Sequence, residues 1–370
     1  MNKLDSREEK IRALIDYYRD KGLLIVGLND SQGVNITTTF FKKGLLDYIA
    51  YALTSEELTP EVINAFSLTM NKTEHIDYFL KNNLSLEEIK LSQIYSAVSA
   101  FEKVMQDIRL PRVLGQLGNV YRLIYTPKEG DENIKISTSL EKANEPIMIY
   151  SSGVNNMMRA VGNNPFGIKA SYKNRDKNPN YDYTVMRAND RLVLESEINA
   201  IKRNFDSILG INPRTDIYTL GAYVPKSFEK EELNIFRDLV LAYNEALSNL
   251  CKQYDINFIA TEEIGKRYLN SEANFHITTA GHNALANYII DIIYQNKIVK
   301  QNIPNRKNIK PFEFYDKGAS GVIDALSIDQ FTSIKDFMES LGYQKVRDLA
   351  LAEEHAREIE VFQRVLKRTK

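Results

Sequence analysis

The sequence predicts an α/β protein, a three-layer αβα sandwich around a five-stranded parallel sheet, followed by C-terminal helices. Three observations predict it. Short apolar runs alternate with longer segments of helical periodicity, the order that produces parallel strands covered on both faces. Several of those runs end in small polar turns, where open α/β sheets place ligands and nucleophiles. The chain has 370 residues, 43% hydrophobic and 26% charged, which suits a globular protein with one large domain or two modest ones.

The elements follow in order. Ile11, Leu14, Ile15 and Tyr18 share one helical face, and Gly22 closes that segment. Leu23–Val26 is the first strand, stopping at Gly27 and leading into the turn Asn29-Asp30-Ser31-Gln32-Gly33. A helical pattern resumes near Phe40, carries Leu45, Leu46, Ile49 and Leu53, and breaks at Thr59-Pro60. Glu61–Phe66 reads as the second strand, Ser67–Asn71 as its polar turn, and Ile76, Phe79 and Leu80 as the next helix. Residues 85–145 read as an insertion holding a helix over Leu91–Met105, a strand over Val120–Tyr125 and a turn over Pro127–Glu132.

Pro146–Tyr150 is the third strand and runs into Ser151-Ser-Gly-Val-Asn-Asn156. The stretch that follows is rich in Asn, Lys and Tyr, and residues 162–190 have the length and composition of a lid. Ile198, Ile201, Phe205 and Ile208 mark a helix, Asp216–Gly221 the fourth strand, and Phe236, Val240, Tyr243, Leu247 and Leu250 another helix. Ile256–Ala260 is the fifth strand. His276 and Gly281 then precede a helix with Leu285, Tyr288, Ile289 and Ile292. The domain division is therefore 1–295 for the α/β unit and 296–370 for a helical extension. The extension carries narrow apolar stripes, including Ile359, Phe362 and Leu366. Such helices either pack back on the core or pair two copies into a homo-oligomer.

Charge and cysteine content exclude several classes. With 48 basic and 49 acidic residues the net charge is −1, so nothing attracts nucleic acid or an anionic membrane. The lone Cys251 forms no internal disulfide and no structural zinc site, and its apolar neighbours at helical spacing assign it to the core. No His/Asp/Glu cluster has ligand spacing, so neither a metal nor another cofactor is expected. The N-terminal segment is charged without an apolar h-region, and no apolar run reaches membrane-spanning length; a cytoplasmic protein is the expectation.

Three polar features stand at or beyond strand ends: the Ser31 turn, the Asn155 turn and the His276 loop. Parallel strands collect such loops on one edge. Acyl transfer needs a hydroxyl nucleophile, a His to take its proton and donors for the oxyanion. Read as isolated features, the same residues are ordinary turn and loop residues.

Together these blocks resemble the SGNH (GDSL-type) hydrolase family, in its bacterial lipase/esterase-like branch, over roughly residues 22–295. Asn29-Asp30-Ser31 is similar to the family's Gly-Asp-Ser turn, with Asn in place of glycine. Val62–Asn71 has the shape of the second block, with Thr69 where the family places a glycine. Gly153-Val-Asn-Asn156 matches the third block, and Asp216–Pro225 looks like the corresponding strand. Ala273-Asn-Phe-His276 stands at the last block, with Ala273 at the position of the usual triad Asp.

The resemblance implies a flavodoxin-like SGNH hydrolase fold and a serine esterase or lipase-like activity on small-molecule or carbohydrate acyl esters. Ser31 is the implied nucleophile and His276 the base. The Ser31 and Thr69 backbone N–H groups and the Asn155 amide are the implied oxyanion donors. Without an Asp at 273, Glu272, Asn274 or a backbone carbonyl orients the imidazole, or Ser31 and His276 act as a dyad. An acyltransferase on the same site, and a degraded scaffold that binds a partner, are the alternative readings.

Overall fold

A computed structural model describes residues 6–29, 44–65, 73–86, 89, 130, 133–153, 183–223, 234–268, 277–301 and 306. The described helices are α1 (Arg7–Arg19), α2 (Leu45–Ala52), α3 (Thr73–Lys81), α4 (Ile136–Lys142), α5 (Tyr183–Ile211), α6 (Asn234–Gln253), α7 (Glu262–Tyr268) and α8 (Thr279–Tyr294). The strands are β1 (Leu24–Asn29), β2 (Glu61–Asn64), β3 (Ile147–Ser151), β4 (Asp216–Leu220) and β5 (Asn257–Ile259). They form one sheet in the order β2-β1-β3-β4-β5, every pair parallel. This is the expected five-stranded α/β sheet, in the order of flavodoxin-like proteins.

Side-chain alternation along the strands explains the three layers. Leu24, Val26, Leu28, Met148, Tyr150 and Ile217 point to one face, where they meet α3, α4, α5 and α6. Ile25, Ile147, Ile149, Tyr218 and Leu220 point to the other, against α1, α2, α7 and α8. All five residues of β3 and of β4 are buried. Such strands read as continuous apolar runs because both their faces are covered.

Several expected boundaries move. β1 does not stop at Gly27 but runs on to Asn29, with Gly27 paired to Asn64 on one side and Ile149 on the other. Gly27 lies inside a central strand paired on both sides, so glycine is not a stop signal here. β2 is shorter than expected and ends at Asn64, and β5 shrinks to Asn257–Ile259. α5 begins at Tyr183, so the last part of the 162–190 stretch is helical backbone. The two ends of the 85–145 segment are seated on the core: Leu86, Ile89, Ile136 and Leu140 are buried with the strands. The helix expected over Leu91–Met105, the strand over Val120–Tyr125 and the C-terminal stripes beyond residue 306 lie outside the described residues. Among the described residues no helix is long and apolar enough to cross a membrane.

The N-terminal edge of the sheet is tied by charge. Glu145, just before β3, accepts hydrogen bonds from Tyr17 Oη at 2.6 Å, Lys21 Nζ at 2.9 Å and Lys297 Nζ at 3.1 Å. Lys297 lies on a π-helical turn, Gln295–Val299, that continues α8, and it also pairs with Asp216 Oδ2 at 2.9 Å. Both partners of that last pair are buried. Close by, Arg306 donates to the carbonyls of Tyr254, Pro213, Thr215 and Asp255. The start of the region past residue 295 is therefore bound to the starts of β4 and β5.

Partial burial pushes the Glu145 carboxyl upward, but its donors Tyr17, Lys21 and Lys297 outweigh this and hold it at about 2, below the ordinary 4.5. Burial also pushes Lys297 down, and Asp216 and Glu145 more than reverse that, raising it above 10.5.

A depressed carboxyl stabilises the fold above its unfolded pKa and loses that contribution as pH falls through the folded value. Urea midpoints of the wild type are expected to fall as the pH drops from 4.5 toward about 2. Glu145→Gln flattens that slope and lowers stability at neutral pH by about 1–2 kcal/mol, discounted for partial solvent access. Lys297→Met leaves Asp216 buried without its cation, and a loss of about 3–5 kcal/mol is expected in the same measurement.

Candidate active site

The C-terminal edge of the sheet gathers the ends of all five strands. β1 and β3 are neighbours, and their last residues, Asn29 and Ser151, lie opposite each other in the register. The chain passes from β1 outward to β2, then returns to β3 on the other side. The strand order therefore reverses between β1 and β3. Crevices at such a reversal are where open α/β sheets bind ligands.

The expected site residues all lie outside the described residues: Ser31, Thr69, Asn155, Glu272, Asn274 and His276. What the structure describes is the frame from which their segments depart. Ser31 follows Asn29 by two positions, Thr69 follows Asn64 by five, and Asn155 follows Ser151 by four. His276 immediately precedes Ile277, which is buried among the side chains of the second face. Thr278 N donates to the Tyr268 carbonyl at 2.7 Å, and its hydroxyl caps α8 by accepting from Gly281 N at 3.2 Å. His282, one turn further on, is fully buried in α8.

The described end of β3 is held by a buried polar network. Tyr243 Oη on α6 donates to the Ser152 carbonyl at 2.5 Å. Ser152 Oγ donates to Tyr150 Oη at 2.8 Å. Asn204 Nδ2 on α5 donates to Tyr150 Oη at 2.8 Å and to the Thr73 carbonyl at 2.9 Å. The Thr73 hydroxyl donates to Glu197 Oε1, and Ser207 Oγ donates to Asp77. Glu197, Asn204 and Ser207 lie on one face of α5, so this helix ties α3 to the end of β3.

Gly153 sits in the middle of this network with φ +100°, a conformation that side chains with a Cβ rarely adopt. A Cβ there would lie 2.9 Å from Glu197 Oε1 and 2.9 Å from Tyr243 Oη. The glycine of the Gly153-Val-Asn-Asn156 block is thus required twice, by its backbone and by the groups against it.

The end of β4 is fixed in a different way. The Asn244 side chain on α6 pairs with both backbone groups of Ala222, accepting from its N–H at 2.8 Å and donating to its carbonyl at 2.8 Å. It also donates to Glu262 Oε1 at 3.0 Å, while Thr261 Oγ1 donates to the Gly221 carbonyl at 2.6 Å. An amide that mimics a strand in this way leaves no freedom at the β4 terminus.

Sequence reading passed over Thr73, Glu197, Asn204 and Asn244, and took Tyr243 only as part of a helical apolar stripe. The available signal was polar residues falling inside the apolar stripe of α5, where Glu197 and Asn204 flank Ile198, Ile201 and Phe205. Cys251 is buried as expected, and burial pushes its thiol up to about 12, which removes it as a nucleophile. Among the described residues no three His, Cys, Asp or Glu side chains gather to hold a metal ion.

No family model matches the sequence, and no curated protein matches it. Among solved structures the chain is similar to an extracellular lipase from Streptomyces rimosus, with 11% identity and a TM-score of 0.36 over 72% of this chain and 99% of that one. It is similar to an acetylxylan esterase from Geobacillus stearothermophilus, with 12% identity and a TM-score of 0.36 over 74% and 94% of the two chains. A carbohydrate acetylesterase from Sinorhizobium meliloti gives 10% identity and a TM-score of 0.33 over 74% and 98%. The fold class rests on the sheet order and layers described above, not on these likenesses.

The crowding at Gly153 is directly testable. Gly153→Ala combines a strained φ with two close contacts, and a stability loss of about 2–3 kcal/mol is expected from equilibrium unfolding. An unchanged midpoint would show that the β3 terminus is free to relax.

Proposed function

We propose that the protein is a serine ester hydrolase acting on small-molecule or carbohydrate acyl esters. One observation supports this reading: β1 and β3, the strands that the Ser31 and Gly153-Val-Asn155 segments follow in the sequence, are neighbours at the reversal of strand order. The third expected group, His276, directly precedes a residue anchored in the core. In this reading a ligand bound at the strand reversal meets the nucleophile segment and an oxyanion segment together.

The chemistry follows the residue types. Ser31 Oγ attacks the acyl carbonyl, and His276 takes its proton. The oxyanion receives hydrogen bonds from the Ser31 and Thr69 backbone N–H groups and from the Asn155 side-chain amide. His276 then returns the proton to the leaving alcohol, and water releases the acyl group from Ser31. With Ala273 in place of an acidic residue, the imidazole is oriented by Glu272, by Asn274 or by a backbone carbonyl. An imidazole without an acidic partner still serves as base, at a lower rate.

A serine-directed phosphonate and p-nitrophenyl acetate test the reading. The wild type is expected to be labelled and to turn over the ester, and Ser31→Ala to lose both. His276→Ala is expected to lower kcat/KM by about 10²–10⁴-fold. Labelling that persists in Ser31→Ala, or no labelling and no turnover in the wild type, would overturn the assignment.

A further inference from the structure

Glu197 is a carboxylic acid with only 3% of its surface exposed, set under the C-terminal edge of the sheet. A buried acidic group is costly to keep unless its position is used and its oxygens are satisfied. Here it touches two different chain segments. Its Oε1 accepts from the hydroxyl of Thr73, the first residue of α3. The same oxygen lies 2.9 Å from the point that a Cβ on Gly153 would occupy. Thr73 ends the segment that carries Thr69, and Gly153 begins the segment that carries Asn155. The two expected oxyanion donors beyond the nucleophile therefore leave the described fold from either side of one carboxylate.

We propose that Glu197 is a positioning residue that fixes, through Thr73 and Gly153, the two backbone points from which the oxyanion-binding segments depart. The inference rests on the ester-hydrolase reading. Two neighbours support the geometry. Asn204, two turns along α5, bridges the Thr73 carbonyl to Tyr150, so α5 holds the start of α3 through both its hydroxyl and its carbonyl. Tyr243 closes Gly153 from the α6 side and holds the Ser152 carbonyl. The accepting oxygen of Glu197 also stands at Thr73, the first residue of α3, where helix geometry favours an acceptor. Glu197 touches no reacting atom in this scheme. It acts by geometry, and an amide of the same shape keeps the accepting oxygen.

The test compares kcat, KM and the phosphonate labelling rate in the wild type, Glu197→Gln, Glu197→Ala, Thr73→Val and Thr73→Ser, with thermal unfolding alongside. Glu197→Ala is expected to lower kcat and the labelling rate by about 10²-fold with KM unchanged, because a displaced donor is felt in the transition state and not in the ground state. Glu197→Gln and Thr73→Ser are expected to restore the wild-type rates, and Thr73→Val to follow Glu197→Ala. If Glu197→Ala fails to unfold cooperatively, the isosteric pair Thr73→Val and Thr73→Ser decides by the same split. Wild-type kcat in a cooperatively folded Glu197→Ala, or in Thr73→Val where Glu197→Ala does not fold, would overturn the positioning role. Loss that raises KM alone, or that Gln does not rescue, would overturn it too. In each of those outcomes a labelled wild type leaves the ester-hydrolase reading standing. An unlabelled, inactive wild type removes both.

Discussion

A parallel sheet covered on both faces leaves no room along its middle for a charged side chain. β3 and β4 are buried from end to end, and their neighbours supply apolar side chains above and below. Charged chemistry is displaced to the two edges where the strands begin and end. The rest of the molecule is arranged around that displacement. One edge carries the ion pairs that hold the sheet to the chain beyond residue 295. The other carries hydroxyls and amides, with the buried carboxylates of Glu197 and Asp77 among them.

The two edges are built from different materials. At the strand starts Lys297, Asp216, Glu145 and Lys21 form a linked set of opposite charges, with Arg306 on backbone carbonyls close by. At the strand ends the ties are mostly neutral: Tyr243 to Ser152, Asn204 to Tyr150, Asn244 to Ala222, Thr261 to Gly221. Such ties fix backbone by satisfying its polar groups rather than by pairing charges.

Much of the fold was legible because the strands carry their own signal. Runs such as Ile147–Tyr150 and Ile217–Leu220 are apolar for structural reasons that any sequence shows. Gly27 misled, since glycine usually punctuates a strand and here it lies within one, paired on both sides. The Asn- and Tyr-rich stretch past Gly162 has no periodicity that marks where α5 starts. The candidate-site blocks follow strand ends in the sequence, and their key residues lie outside the described residues. The network around Glu197 was not legible, because its partners Thr73 and Gly153 are distant in sequence and meet only when α3 packs on α5. Lys297 was hidden for a similar reason: it stands at the margin of a polar, basic stretch, and its acidic partners come from before β3 and from the start of β4.

The single cysteine gives the molecule a property unrelated to chemistry at the crevice. Cys251 belongs to α6 and is fully buried in the core with the strands, and burial pushes its thiol up to about 12. A thiol in that state is invisible to alkylating reagents until the layer around it opens. The chain thus carries its own clock for opening of one face, read by mass from a single site and with no competing cysteine to correct for.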